Sequence, residues 1–153
     1  MTTTPIHIEQ GGPELINRLE HLWLALRDFH ADISPRIHAR IGHKTFSQRR
    51  AELDGILNLH IQIATLHDQQ IGCCVSSARN PETGEINFVY VADEHRSTGI
   101  GSEMIRNATQ KLTQFGAQHI TLTTAPENPR AIALYERLGF VPDELIMRLS
   151  TQP

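Results

Sequence analysis

The sequence predicts a mixed α/β domain of the α+β kind, in which helices flank a mostly antiparallel sheet that contains one parallel strand pair. Three observations carry this. Phe88 to Val91 is an apolar, β-branched and aromatic run, followed by a Gly-containing turn and then, from Ser102, a helical spacing of Met104, Ile105, Ala108, Leu112 and Phe115. His119 to Thr124 is β-rich, so strand, helix and strand form a right-handed crossover with parallel strands. Asn80-Pro81-Glu82-Thr83-Gly84 is a strong turn signal, which makes the strand from Glu85 antiparallel to the run before it.

Taken in order, Pro5 to Glu9 alternates Ile6 and Ile8 with polar neighbours and reads as a short edge strand, broken by Gly11-Gly12-Pro13. A helix is expected from Glu14, with Leu15, Leu19, Leu22, Trp23, Leu26 and Phe29 on one stripe. Ser34-Pro35 interrupts it, and Pro35 to Ile41 reads as a short second helix. Thr45 and Gln48 make a capping box for a helix from Phe46 to Leu57. His60 to Leu66 and Ile71 to Ser77 read as strands joined through Asp68-Gln69-Gln70. Gly116 is placed to stop the long helix after Phe115, while Asn128 and Pro129 supply an N-cap and an N1 proline for a helix stopped by Gly139. Phe140-Val141 and Leu145 to Leu149 are expected to close the sheet, the second in an antiparallel hairpin.

The 153 residues fit one domain, spanning 1–153, with a hydrophobic fraction of 39% and a charged fraction of 20%. Fourteen basic against seventeen acidic residues leave a formal charge of −3, which argues against a nucleic-acid surface. No stretch has the length of a membrane span, and the Thr-rich start lacks a signal pattern. Adjacent Cys73 and Cys74 point to opposite faces of a strand, suggest no disulfide framework, and fit a reducing cytoplasm. The nine histidines form no His-x-x-x-His pair, and no Cys-x-x-Cys occurs, so no metal is expected.

The turn at Arg96-Ser97-Thr98-Gly99-Ile100-Gly101-Ser102 has the chemistry of an anion site. Orphan N–H groups of a first helical turn converge there, and two glycines let a ligand reach the backbone. A phosphate-binding P-loop needs Lys and then Ser or Thr after its last glycine, but Ser102-Glu103 follows Gly101. A dinucleotide fingerprint needs a third glycine where Met104 stands, and an acidic residue in the Ile120 to Thr124 region.

What remains, Arg-x-x-Gly-x-Gly after a strand, resembles the pyrophosphate loop of the GNAT superfamily of acyl-CoA N-acyltransferases. Asn128-Pro129-Arg130-Ala131-Ile132-Ala133-Leu134-Tyr135-Glu136-Arg137-Leu138-Gly139-Phe140 is similar to a second GNAT segment, Asn-x-x-Ala-x-x-Leu-Tyr-x-x-x-Gly-Phe, in the expected order. The resemblance covers about residues 55 to 149, with Ser97 where many relatives have Gly. It implies that the parallel pair is splayed, with the arm of an acyl-CoA in the gap.

Backbone groups of Val89, Tyr90 and Val91 would then bind the arm and the acetyl carbonyl. The N–H groups of Ser97, Thr98, Gly99, Ile100, Gly101 and Ser102 would hold the pyrophosphate, with Arg96 and Asn128 beside it. By helix position alone Tyr135 fits core packing and Asn128 an N-cap; the resemblance adds an acid for the leaving thiolate at Tyr135 and a cofactor contact at Asn128. Glu85 is the candidate base: period-two alternation puts Glu85, Asn87, Val89 and Val91 on one face, although six residues span roughly 20 Å. Asp28, His30 and Asp32, at the end of the first long helix, are candidates for holding the acceptor.

The implied activity is transfer of the acetyl group of acetyl-CoA to a primary amine of a small molecule or peptide, by direct attack in a ternary complex. A catalytically silent acyl-CoA-binding module and a transferase of a longer acyl group are the alternatives. A homodimer is compatible with the sequence.

Overall fold

The computed structural model describes residues 4–152. Five strands, β1 (His7–Gly11), β2 (His60–Leu66), β3 (Gln69–Asn80), β4 (Thr83–Val91) and β5 (His119–Leu122), lie side by side in chain order. All neighbours are antiparallel except β4 and β5, which are parallel across the helix α4 (Ile100–Gln114). Helices α1 (Glu20–Ile33) and α3 (Phe46–Leu53) cover one face, where Leu19, Leu22, Trp23 and Phe46 pack on Ile61, Ile63, Cys73, Val75 and Phe88. Helix α4 covers the other, with Met104, Ile105 and Ala108 against Ala64, Cys74 and Ile86. The two cysteines therefore face opposite sides, and burial pushes both thiols well above their ordinary range.

Local signals place most boundaries. Thr45 and Gln48 form the expected capping box on α3. Gly116, at φ 104°, ends α4 with Ala117 N–H donating to the Leu112 carbonyl at 3.0 Å and Gly116 N–H to Thr113 at 3.0 Å, the bond pattern of a Schellman motif. Gly139 repeats it on α5 (Pro129–Arg137) at φ 97°, with Phe140 N–H donating to the Tyr135 carbonyl at 3.0 Å.

Four expectations are revised. The helix expected from Glu14 begins as a 3₁₀ segment, Pro13–Leu19, whose three-residue turn stacks Ile16 and Leu19 on the buried side; α1 starts at Glu20. Helix α3 ends at Leu53 rather than Leu57, because the chain turns at Gly55 with φ 74°. Gly84 lies within β4 instead of the turn: a Cβ there would meet Leu112 Cδ1 at 2.8 Å, so glycine lets α4 lie close to the strand. Residues 140–152 form no strand. Only Phe140-Val141 precedes Pro142, too short a run to begin a hairpin, and Pro142 has no N–H for a ladder.

One buried contact holds α4 in place against the sheet. Gln62 Nε2 donates to the Met104 carbonyl at 2.7 Å, while Gln62 Oε1 accepts from Asn107 Nδ2 at 3.0 Å. The start of α4 is thereby set beside the end of β4.

Candidate functional site

Strand β5 pairs with β4 only from Thr83 to Ile86, opposite His119 to Leu122, while β4 runs on to Val91. The two strands then part, leaving a groove of about 430 Å³ whose lining includes Asn87 to Val91 on one wall and Thr123, Thr124, Asn128 and Tyr135 on the other. Arg96, Ser97, Gly99, Ile100, Gly101 and Ser102 line it at the start of α4.

The backbone of β4 alternates its groups between neighbours. Ala92 N–H donates to the Ile71 carbonyl of β3 at 2.8 Å, so Tyr90 also turns its groups to β3, and Val89 and Val91 turn theirs to the groove. This corrects the expectation that all three residues offer backbone groups there: Tyr90 lines the groove without a free N–H. The Val91 carbonyl already accepts from Arg96 Nε at 2.9 Å. Val89 N–H and C=O and Val91 N–H remain, a short unpaired edge leading to the first turn of α4.

That turn is shaped by two left-handed residues, Ser97 at φ 64° and Gly99 at φ 89°. The second comes free to glycine; the first is a conformation that a side chain makes costly. Gly99 is the N-cap of α4 and carries no capping side chain, so the first N–H groups of the helix point outward unsatisfied by the protein's side chains. Arg130 Nη2 donates to Ser97 Oγ at 2.6 Å, placing a cation against the loop.

Arg96 is a strut rather than a free charge. Its guanidinium reaches Asp93 Oδ1 at 2.9 Å and lies 4.7 Å from the Phe29 ring and 5.8 Å from that of Tyr90. This ties α1 to the end of β4.

Tyr135 lines the groove, half-buried and edge-on to Phe140 at 6.1 Å. Burial, with a smaller effect of Cys74, pushes its hydroxyl up to about 12, so it stays protonated at neutral pH. Asn128 is the expected N-cap, accepting from Ala131 N–H at 3.2 Å, and its side chain also borders the groove. At the other end α1 contributes Leu26, Phe29 and His30. Burial holds the His30 imidazole below its ordinary range, favouring the neutral form.

The profile of the Acetyltransferase (GNAT) family matches residues 23–140, most of the chain. The chain belongs to the GNAT family. An N-alpha-acetyltransferase MAK3 of Arabidopsis thaliana is 34% identical over 71 residues, covering 46% of this chain and 37% of that protein. A mycothiol acetyltransferase of Corynebacterium aurimucosum is 33% identical over 60 residues, covering 39% and 20%. The matched segments thus span about a fifth to two fifths of these relatives. A solved aminoglycoside N-acetyltransferase AAC(6')-Iy in complex with CoA superposes with TM-score 0.70 at 19% identity, covering 99% of this chain and 98% of that one. At this identity the likeness is one of fold.

Within this GNAT fold the sequence-derived site is only partly assembled. The loop, Val89, Val91, Asn128 and Tyr135 meet in the groove, and His30 joins them. Asp28 is exposed and paired with Arg27 at 2.9 Å; Asp32 is exposed, and neither lines the groove. Thr98 is an exposed loop residue whose hydroxyl donates to the His95 carbonyl at 2.6 Å. Glu85 faces Arg79 at 3.8 Å and does not line the groove.

The expected common face of Glu85 with Val89 and Val91 fails for a defined reason. Val75 pairs with Phe88 and Ser76 with Ile86, so Asn87 is an extra, bulged residue. The bulge reverses the alternation. Glu85 pairs with Ser77 on the side of Val75 and Phe88, whereas Val89 and Val91 pack toward α4.

Phe29, Arg130, His95 and the Thr123-Thr124 wall were missed by sequence reasoning. Phe29 had been read only as part of the apolar stripe. Arg130 lies within the GNAT-like segment Asn128–Phe140, and its position in the first turn beside the Asn128 cap is the available signal. Among the described residues, no cluster of three His, Cys, Asp or Glu gathers where a metal could be held, and no helix is long and apolar enough to cross a membrane.

Proposed function

We propose that this GNAT domain transfers the acetyl group of acetyl-CoA to a primary amine by direct attack in a ternary complex, acting as one unit over 1–153 in a cytoplasmic setting. The observation that carries this is the continuous path from the unpaired Val89–Val91 edge to the unsatisfied N–H groups at the start of α4. Such a path suits a pantetheine arm followed by a pyrophosphate. In this reading Val89 N–H polarises the thioester carbonyl, a contact that strengthens as the oxyanion develops. The amine nitrogen bonds to the carbonyl carbon and gives a proton to a base, the C–S bond breaks, and Tyr135 donates its proton to the departing thiolate and regains one from solvent.

The acceptor amine must be neutral to attack. Among the described residues no carboxylate lines the groove; its titratable groups near α1 are His30, His95 and Tyr90. A weakly basic amine, such as a peptide α-amine with a pKa of roughly 8, is already about a tenth neutral at pH 7, whereas an alkylamine of pKa about 10.4 is well under a thousandth neutral. A polycationic sugar gains little from such a lining. This favours a peptide or weakly basic small-molecule acceptor, in keeping with the N-alpha-acetyltransferase name of one relative. His30 is the base with a direct view of the groove; Glu85 enters only through a water relay, and Asp28 and Asp32 only as an outer attraction for cations.

Free-thiol release from acetyl-CoA, measured with peptides of varied first residue against aminoglycosides, tests the proposal. Turnover with a peptide amine at much higher kcat/KM is the expected result, and preference for the aminoglycosides would refute the acceptor assignment. Tight CoA binding without turnover on any amine would favour a silent acyl-CoA-binding module. Faster turnover with propionyl- or succinyl-CoA would favour the longer acyl group.

A further inference from the structure

Helix α2 (Pro35–Ile41) opens where α1 ends, and its charge is one-sided. Arg36 and Arg40 are both exposed and stand one turn apart on the same face of the helix. Arg148, in the segment after α5, comes close to them. Partial burial first, then the like charges of Arg148 and Arg36, hold the Arg40 guanidinium below its ordinary value. The carboxylate that meets this group is Glu127, which pairs with Arg36 and accepts from Ser34 Oγ at 3.4 Å. Among the described residues Arg40 and Arg148 form no ion pair, and neither does Asp32, the other acid of this stretch.

Three guanidiniums against one carboxylate leave a local positive excess in a chain whose formal charge is −3. Like charges at this spacing weaken a helix, and α2 has only seven residues. An anion that arrives with a ligand would relieve that crowding, and guanidinium forks match carboxylates by two-point contact.

The patch sits at the acceptor end of the groove. Phe29 and His30 line that end, and Ser34 follows His30 by four residues, roughly 6 Å along a helix. Glu127 immediately precedes Asn128, which borders the groove from the other wall. The Arg36–Glu127 pair therefore joins the corner between α1 and α2 to the loop before α5, and holds the arginines beside the mouth.

We propose that this patch selects acceptors by charge: the amine enters beside His30, and an acidic side chain a few residues along the same peptide docks on Arg36, Arg40 and Arg148. The proposal rests on the acetyl-transfer reading above and adds to it the class of acceptor. At about 3.3 Å per residue, an extended peptide brings the side chain of its second to fourth residue over the patch. The same charges repel a polycation, which disfavours polyamine sugars actively. Nucleic acid, the other common polyanion, wants a broader basic excess than this acidic chain provides.

Free-thiol release from acetyl-CoA is measured with tetrapeptides that share their first residue and carry Glu, Gln or Lys at the next three. An exposed charge pair contributes up to about fivefold in affinity. With one or two such pairs, kcat/KM for the Glu peptide should exceed that for the Gln peptide by about five- to twenty-five-fold, mostly through KM. Added salt should shrink the ratio. Arg40→Glu should turn the preference toward the Lys peptide while CoA affinity is retained. If that variant fails to fold, Arg40→Gln in its place should narrow the gap between the Glu and Gln peptides by up to about fivefold. Equal kcat/KM for these two peptides in the native chain, or a Glu preference that the folded Arg40 variant leaves intact, would overturn the patch while the transfer reading stands. Should no peptide turn over, fluorescence anisotropy of a labelled Glu peptide on the CoA-loaded protein decides. Binding that Arg40→Glu abolishes would support the patch and refute only the transfer reading. No binding, or tighter binding of a short RNA, would overturn the proposal.

Discussion

Gly101→Ala separates binding from folding at the cradle. Gly101 lies in the first turn of α4 and lines the groove, and its φ is not in the left-handed region. A Cβ at this position would meet Val91 Cγ2 at 3.6 Å and Leu134 Cδ2 at 3.8 Å, ordinary van der Waals distances. The empty fold therefore accepts alanine, and the substitution should raise stability by up to about 0.5–1 kcal/mol through the entropy of the unfolded chain and helix propensity. In the proposed complex the same methyl group would fill space at the point where the pyrophosphate approaches the backbone. Displacing it from one charge-assisted hydrogen bond costs roughly 1.5–3 kcal/mol. That corresponds to about a ten- to hundredfold weaker Kd.

Calorimetric titration with CoA, beside a thermal melt, measures both quantities. Pantetheine, which lacks the pyrophosphate, is the control and should bind the variant and the native chain alike. A folded Gly101→Ala protein with native CoA affinity would refute the cradle. Gly99→Ala offers the contrast. Its Cβ meets nothing, but φ is 89°, so roughly 1–2 kcal/mol of strain should appear in the melt.

Three further outcomes follow from the geometry. Tyr135→Phe keeps the edge-on packing with Phe140 and should cost roughly a hundredfold in kcat with little change in CoA affinity; native turnover would leave Tyr135 a packing residue. In the native enzyme, a hydroxyl raised to about 12 loses its proton only as pH approaches that value, so no alkaline limb at lower pH belongs to it. With His30 as the proposed base, acting in its neutral form, kcat/KM should fall as pH drops through a pKa that burial holds below the ordinary imidazole value; His30→Gln should abolish that limb, and its loss in Glu85→Gln instead would transfer the role to Glu85. Thr45→Ala removes the cap of α3, which does not line the groove, and should cost about 1 kcal/mol, roughly 2–4 °C in Tm, with unchanged CoA affinity.

What the sequence alone determined is what short-range chemistry controls. The cap at Thr45, the glycine stops at Gly116 and Gly139, the Asn128 cap and the turn into α4 each depend on a few neighbouring residues, and all were readable. The parallel pairing of β4 and β5 was readable too, because a right-handed crossover follows from the order of elements.

Tertiary structure decided the rest. The bulge at Asn87 depends on how β3 and β4 register over their whole length, and one extra residue moved Glu85 to the wrong face for the predicted role. Of three polar residues at the end of α1, only His30 turns into the groove, because the buried stripe of Leu22, Trp23 and Leu26 sets the helix rotation. Arg96 has the charge expected beside a phosphate, yet Phe29 from a distant helix and the Val91 carbonyl hold it as a strut. Leu145–Leu149 has a strand's residue types, yet it pairs with no strand of the sheet. A local pattern specifies a conformation; which partner that conformation meets depends on contacts between residues far apart in the chain, and those no short window contains.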